Sequence, residues 1–276
     1  MAIESIRPAA VAGLFYPADA RLLQAQVGEM LAAAMPMEQA FPPPKALMVP
    51  HAGYIYSGTI AANAYAMLKP LRSVIERVVL LGPAHRVPVR CFALPAAQAF
   101  ATPLGVVPVS REDWLMLQSR DDVVVDDRPH AFEHSLEVQL PFLQSMLDRF
   151  ELVPVLVGNA SAQAVAELLA ALWGGPETLI VISSDLSHYH PYEQARACDR
   201  ATVDQIVRLN GDLGDEQACG ARPLNGFLKL ADQLGLEAHL LDLRNSGDTA
   251  GDRSRVVGYA SVAFSEGHGH DGALRH

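Results

Sequence analysis

Four short apolar runs in this chain each end in a cluster of polar, chemistry-bearing residues. Ala46–Val49 runs into Pro50-His51-Ala52-Gly53-Tyr54, and Val78–Leu81 into Gly82-Pro83-Ala84-His85-Arg86. Leu179–Ile182 runs into Ser183-Ser184-Asp185-Leu186-Ser187-His188, and His239–Leu243 into Arg244-Asn245-Ser246-Gly247-Asp248. Imidazole and carboxylate are the groups that bind metal ions and exchange protons near neutral pH. A single histidine after a strand is more often a hydrogen-bonded structural residue than a ligand, and Asp185 alone reads as a turn cap. Recurrence at equivalent positions points instead to a metal or catalytic pocket, because ligands of open α/β sheets sit outside the carboxyl ends of the strands.

Two more segments add candidates. Glu133-His134-Ser135 lies ahead of a helical stripe, and Cys219 lies in Ala218-Cys219-Gly220-Ala221-Arg222-Pro223, just before another helix. A helix N-terminus and a bound cation both favour the thiolate, so Cys219 is the best placed of the three cysteines to react. Cys91 in a strand and Cys198 in a helix read as packing residues.

The elements that must position these groups follow from periodicity. Besides the four runs above, Leu152–Val157 and Val256–Phe264 have strand length and near-continuous apolarity, as strands buried on both faces do. Helical patterns lie between them at Asp19–Ala34, Ser57–Leu68, Ser161–Trp173, Cys198–Leu209 and Leu224–Leu234. Ser161 is a natural N-cap, and Gly174-Gly175 a stop. A further stripe, Leu136, Leu140, Leu143 and Leu147, contains Pro141, so that helix starts late or is kinked. Cys91–Val109 reads as short strands broken by Pro95, Pro103 and Gly105. Strands alternating with helices predict an α/β fold, a single domain with a central, largely parallel or mixed sheet flanked by helices. The domain is expected over residues 1–265, with 266–276, rich in Gly and His, as a flexible tail whose His268, His270 and His276 are adventitious metal binders.

Composition narrows the function. The chain has 276 residues, half of them apolar, and a formal net charge of −10. That charge disfavours nucleic acid and anionic membranes as partners. No run of about 18 apolar residues is present, so no spanning helix is expected. Three sparse cysteines and no secretory leader pattern in the first dozen residues predict a reducing, cytoplasmic setting.

At these residues the sequence resembles the Memo family, named in prokaryotes AmmeMemoRadiSam system protein B. The resemblance is carried in order by Arg7–Pro17, Pro50-His51-Ala52-Gly53-Tyr54 with Ser57-Gly58, Gly82-Pro83-Ala84-His85, Glu133–Pro141, Ser183–His188, and Cys219-Gly220 with Pro223. It implies a fold related to the class III extradiol dioxygenases and one mononuclear metal pocket. It implies His51, His85 and Cys219 as metal ligands, with His134, Asp185 and His188 around them, and an association with radical-SAM and AMMECR-type proteins. Ring-cleaving dioxygenases bind Fe(II) with two histidines and a carboxylate. Here Cys219 stands in the carboxylate's place, and a thiolate is softer and more easily oxidised. Iron(II) is favoured on the scaffold, while a His₂Cys set also suits copper or zinc.

Two readings of function follow. In the first, the chain is a metal-dependent oxidoreductase. His188 acts as acid/base, Asp185 orients a neighbouring histidine, and His134 hydrogen-bonds the substrate. In the second, the pocket binds metal, a small molecule or a peptide without turnover, as an adaptor or a partner of a radical-SAM system. An alternative ligand set, His51, His85 and Asp185, also stays open.

Overall fold

The structure is a computed structural model and describes residues 5–34 and 41–267. Its strands are β1 (Ile6–Arg7), β2 (Ala46–Val49), β3 (Arg77–Pro83), β4 (Phe92–Leu94), β5 (Ala99–Thr102), β6 (Gly105–Pro108), β7 (Val123–Val125), β8 (Glu151–Val157), β9 (Thr178–Ser183), β10 (His188–His190), β11 (Leu236–Asn245) and β12 (Val256–Glu266). The helices are α1 (Ala20–Ala32), α2 (Tyr54–Tyr65), α3 (Arg111–Leu117), α4 (Asp127–Ala131), α5 (Leu140–Met146), α6 (Ala162–Ala171), α7 (Tyr192–Val207) and α8 (Ala221–Gln233).

Nine strands form one mixed sheet in the order β10-β12-β2-β9-β3-β8-β4-β7, with β11 also paired to β12. The centre, β2-β9-β3-β8, is parallel. Antiparallel β12 joins one side of it and antiparallel β4 the other. The parallel strands are apolar on both faces, and their residues alternate between two cores. Leu47, Val49, Val78, Leu80, Leu179 and Val181 pack with residues of α1, α2 and α5. Ala46, Met48, Val79, Leu81, Ile180 and Ile182 pack with residues of α6, α7 and α8. This is the period-two consequence of the pleat, with helices covering both sides.

The remaining strands form a small sheet, β1-β5-β6, built from the broken segment at 91–109 and the start of the chain. Pro141 sits in the first turn of α5, where its missing N–H costs nothing, and a 3₁₀ turn over Glu137–Gln139 precedes it. Asp19 and Ser161 cap α1 and α6 through their side chains. Helix α7 begins at Tyr192, six residues before the sequence pattern suggests. Its first turns expose Glu193, Gln194 and Arg196, which carry no apolar period. Cys91 lies in the bend just before β4 rather than within a strand. Strand β12 continues through Glu266, beyond the expected domain limit at 265, and residues 268–276, with their three histidines, lie outside the described residues. No described helix is long and apolar enough to cross a membrane.

Candidate metal centre

Because β2, β9 and β3 run parallel, their carboxyl ends open on one edge, and the residues that follow them meet there. His51 follows β2, Asp185 follows β9 and His85 follows β3. The loop carrying Glu133 and His134 crosses this edge, and the turn before α8 brings Cys219. His51, His85, His134, Asp185 and Cys219 line one cavity of about 780 Å³, with His188 on its wall and Glu133 buried behind it. The fourth polar cluster expected from the sequence goes elsewhere: Arg244, Asn245 and Asp248, at the end of β11, line a separate cavity of about 420 Å³.

One ring nitrogen from each of His51, His85 and His134 lies within 4.8 Å of the others. The rings of His85 and His134 stack at 4.8 Å, and His51 meets both edge-on, at 5.2 and 5.3 Å. Cys219 Sγ lies 3.2 Å from His51 Nε2 and accepts the backbone N–H of Asp185 at 3.3 Å. Donors about 2.0–2.3 Å from one tetrahedral ion stand roughly 3.5 Å apart, so the thiol and the His51 nitrogen have the spacing of two ligands to one ion. The three-histidine spread needs an inward shift of about 1 Å to close on the same point. His134 Nδ1 is buried and makes no hydrogen bond; it lies 3.2 Å from Glu133 Oε1, off the direction that a bond requires.

The tautomer of His51 is set by a buried relay. Ser183 Oγ donates to the Ser135 carbonyl at 2.6 Å and receives an N–H of Gln139 at 2.9 Å. Its proton being used, it accepts from His51 Nδ1 at 2.9 Å. Gln139 is oriented in turn by the Tyr65 hydroxyl on its carbonyl and by donating to the Pro50 carbonyl. The lone pair of His51 therefore sits on Nε2, facing Cys219. Burial holds His51 well below the usual histidine range, with the neighbouring imidazoles of His134 and His85 adding to the effect, so the ring is neutral. A neutral ring with its other nitrogen anchored is the form that ligates metal.

Glu133 performs the same service for His85. One carboxylate oxygen accepts His85 Nδ1 at 2.9 Å and the backbone N–H groups of His134 and Ser135; the other accepts the His85 backbone N–H at 2.6 Å. Burial raises this carboxyl, but the adjoining imidazoles of His134 and His85 and the Ser135 N–H outweigh it. Glu133 is held well below the usual carboxylate range. Its own loop is fixed from behind. Arg7 donates to the carbonyls of His130 and Glu133 and pairs with buried Glu137 at 2.5 Å. Glu137 also receives the Ala10 and Val11 N–H groups and the Tyr16 hydroxyl. The Arg7–Pro17 segment is thus the clamp on the histidine loop.

Asp185 holds the backbone N–H of His51 at 2.7 Å; the oxygen beside the His51 ring nitrogen belongs to Ser183. Burial pushes the Asp185 carboxyl upward. Cys219 keeps some exposure to the cavity, yet burial, then the Asp185 charge, push its thiol up to about 12. The protein alone therefore favours the thiol, and the thiolate expected from its place before α8 depends on a cation. Gly220 lets the chain press against β9: a Cβ there would lie 2.6 Å from Ser184 Cβ. His188 stands on β10, paired with β12, its ring edge-on to Tyr189 at 5.7 Å. The structure thus gathers His51, His85, His134, Asp185, His188 and Cys219 on one cavity. The positioning roles of Ser183, Gln139 and Glu133 were not read from the sequence. Glu133 was visible only as a neighbour of His134, and buried polar side chains in apolar surroundings are the signal that points to such roles.

Comparison with known proteins agrees in extent with this description. The family model for Memo-like proteins matches residues 7–263. A MEMO1 family protein of Sulfolobus acidocaldarius is 35% identical, over 95% of this chain and 100% of its own length. Those of Aquifex aeolicus and Ignicoccus hospitalis are 37% and 38% identical, each over 94% of this chain and 99% and 98% of their own. The crystal structure of an uncharacterized protein from Escherichia coli K12 superposes with a TM-score of 0.53 at 15% identity, covering 79% of this chain and 98% of the other, a likeness of fold.

Proposed function

The chain belongs to the Memo-like protein family, and from that premise we propose that it is a mononuclear metal-dependent oxidoreductase acting on a small molecule in the cavity of His51, His85 and Cys219. The observation that carries the reading is the His51 Nε2 lone pair, fixed by Ser183 and facing the Cys219 sulfur at 3.2 Å. His51, His85 and Cys219 would hold the ion, with His134 as an adjoining donor. Iron(II) is favoured, and copper or zinc also suit the donors. A bound iron or copper ion would supply one-electron redox chemistry, and a zinc ion Lewis acidity.

The chain's own residues do the rest. Ser183 and Glu133 hold two imidazoles in the ligating tautomer. Asp185 fixes the His51 backbone, and its carboxyl, pushed upward by burial, carries a proton more readily than a surface aspartate. His188, on the cavity wall, would exchange a proton with a molecule bound there. The test is purification without oxygen and without a histidine tag, elemental analysis beside His51→Ala, then oxygen uptake with a panel of catechols and other small aromatics. About one equivalent of metal, lost in His51→Ala, together with uptake above a Cys219→Ala control, is the expected result. No uptake above that control would overturn the oxidoreductase reading.

A second reading rests on the same sulfur. A thiolate ligand is readily oxidised, which suits a metal-binding adaptor that does not turn over. Stoichiometric retention of metal with no product by mass spectrometry would favour it.

A further inference from the structure

We infer that the metal cavity recognises a planar small molecule bearing a carboxylate, with the carboxylate on Arg86 and the flat face against Tyr189. This rests on the reading that the cavity is the functional site, and it names the ligand class. Arg86 lines the cavity and is exposed. Among the described residues its guanidinium has no ion pair or hydrogen bond, as is true of ion pairs for other exposed arginines such as Arg90 and Arg255, whereas the buried and half-buried arginines are matched: Arg7 with Glu137, Arg77 with Asp113, Arg120 with Asp122 and Arg244 with Asp242. Arg86 is also pre-positioned. It follows His85, whose backbone N–H and ring both rest on Glu133, and Ala84 donates to the Val157 carbonyl. An unpaired guanidinium on a fixed stretch of backbone, facing a cavity, is suited to bidentate capture of a carboxylate.

Tyr189 supplies the second, independent observation. It lines the same cavity, is 63% exposed, and has φ 63°. A bulky residue in the left-handed region carries strain that the surroundings must hold. They do so through β10, whose neighbouring residues His188 and His190 pair with β12, and through Arg255, which lies 5.0 Å over the Tyr189 ring. The result is a large aromatic surface presented to the cavity from a fixed backbone position. Stacking on such a face selects flat ligands. Glu216, on the same cavity, has no ion-pair partner among the described residues; it repels a carboxylate from its own side and so favours binding with the carboxylate toward Arg86.

The probe is benzoate, with benzamide as its neutral counterpart, titrated by NMR or calorimetry into metal-free protein and again into zinc-loaded protein. Metal-free binding separates this proposal from the metal assignment: Arg86 still holds benzoate if no ion is bound. Benzoate is expected to bind both forms and benzamide about tenfold more weakly or worse. Arg86→Gln and Arg86→Lys should each weaken benzoate by about tenfold or more while leaving metal content and thermal stability unchanged. Tyr189→Ala should weaken benzoate several-fold and leave acetate unaffected. The proposal is overturned if benzoate fails to bind, if Arg86→Gln leaves its affinity intact, if benzamide matches it, or if inorganic phosphate binds more tightly.

Discussion

The Cys219 sulfur faces His51 Nε2 at 3.2 Å, although 168 residues separate them in sequence. Burial keeps the imidazole neutral and favours the protonated thiol. The pair is therefore uncharged until a cation displaces the thiol proton. Metal uptake is expected to release a proton, and Cys219→Ser should bind metal about tenfold more weakly or worse, while Asp185→Asn retains it. Elemental analysis of the two variants decides. Metal retained by the serine variant and lost from the asparagine variant would transfer the ligand role to Asp185.

Ser183→Ala removes the acceptor that places the His51 proton on Nδ1. The imidazole is then free to carry its proton on Nε2, the wrong atom for ligation. Metal affinity should fall by about 10–100-fold, as when the hydrogen-bond partner of a ligating histidine is removed. A competition titration with a metallochromic chelator reads the affinity, and circular dichroism checks that the fold is kept.

Glu133→Gln preserves size and removes charge. The amide accepts through one oxygen only, so the His85 backbone, the His85 ring and the N–H groups of His134 and Ser135 no longer share a carboxylate. Loss of charge-assisted bonds here should cost about 1.5–3 kcal/mol of stability, measured by urea unfolding. Unchanged stability would mean that the loop is held by Arg7 alone.

Arg7→Met leaves Glu137 as an unpaired charge in the interior, which should cost about 3–5 kcal/mol. The double variant Arg7→Met with Glu137→Gln should recover part of the loss. Denaturation midpoints of the wild type, the two single variants and the double variant measure the coupling.

His130 gives a pH dependence removed from the cavity. It is buried, and Nε2 lies 3.0 Å from the Ala93 carbonyl. Burial lowers its pKa from 6.5 to about 4, the Ala93 bond opposing in part. The folded state thus prefers the neutral ring. Above pH 6.5 neither state is protonated and nothing is lost. As pH falls from 6.5 toward 4 the unfolded chain takes up the proton first, and stability declines by about 3 kcal/mol in total before levelling off. Unfolding curves at intervals across this window should show the decline, and His130→Gln should flatten it.

Much of this arrangement was legible in the sequence. β2 coincides with the run at 46–49, β8, β9 and β12 extend their predicted runs by one or two residues, and β3 extends its run by three. Strands buried on both faces leave an unbroken apolar signal. His51, His85, Asp185 and His188 stood out because parallel strands put their trailing residues on one edge. Strand direction was not legible: an apolar run reads alike either way, so antiparallel β12 and β4 went unseen. Nor was the destination of the cluster after β11, because only the assembled sheet shows that its end opens on another cavity. The pairing of Arg7 with Glu137 joins residues 130 positions apart and has no local signature.

The parallel centre of the sheet has a consequence for biosynthesis. Donors at positions 51, 85 and 134 emerge from the ribosome long before Cys219 does. The sulfur sits against Asp185, just past β9, the strand between β2 and β3. A nascent chain arrested before Cys219 would present the imidazoles without the thiol. The full set of proposed donors therefore exists only in the finished polypeptide.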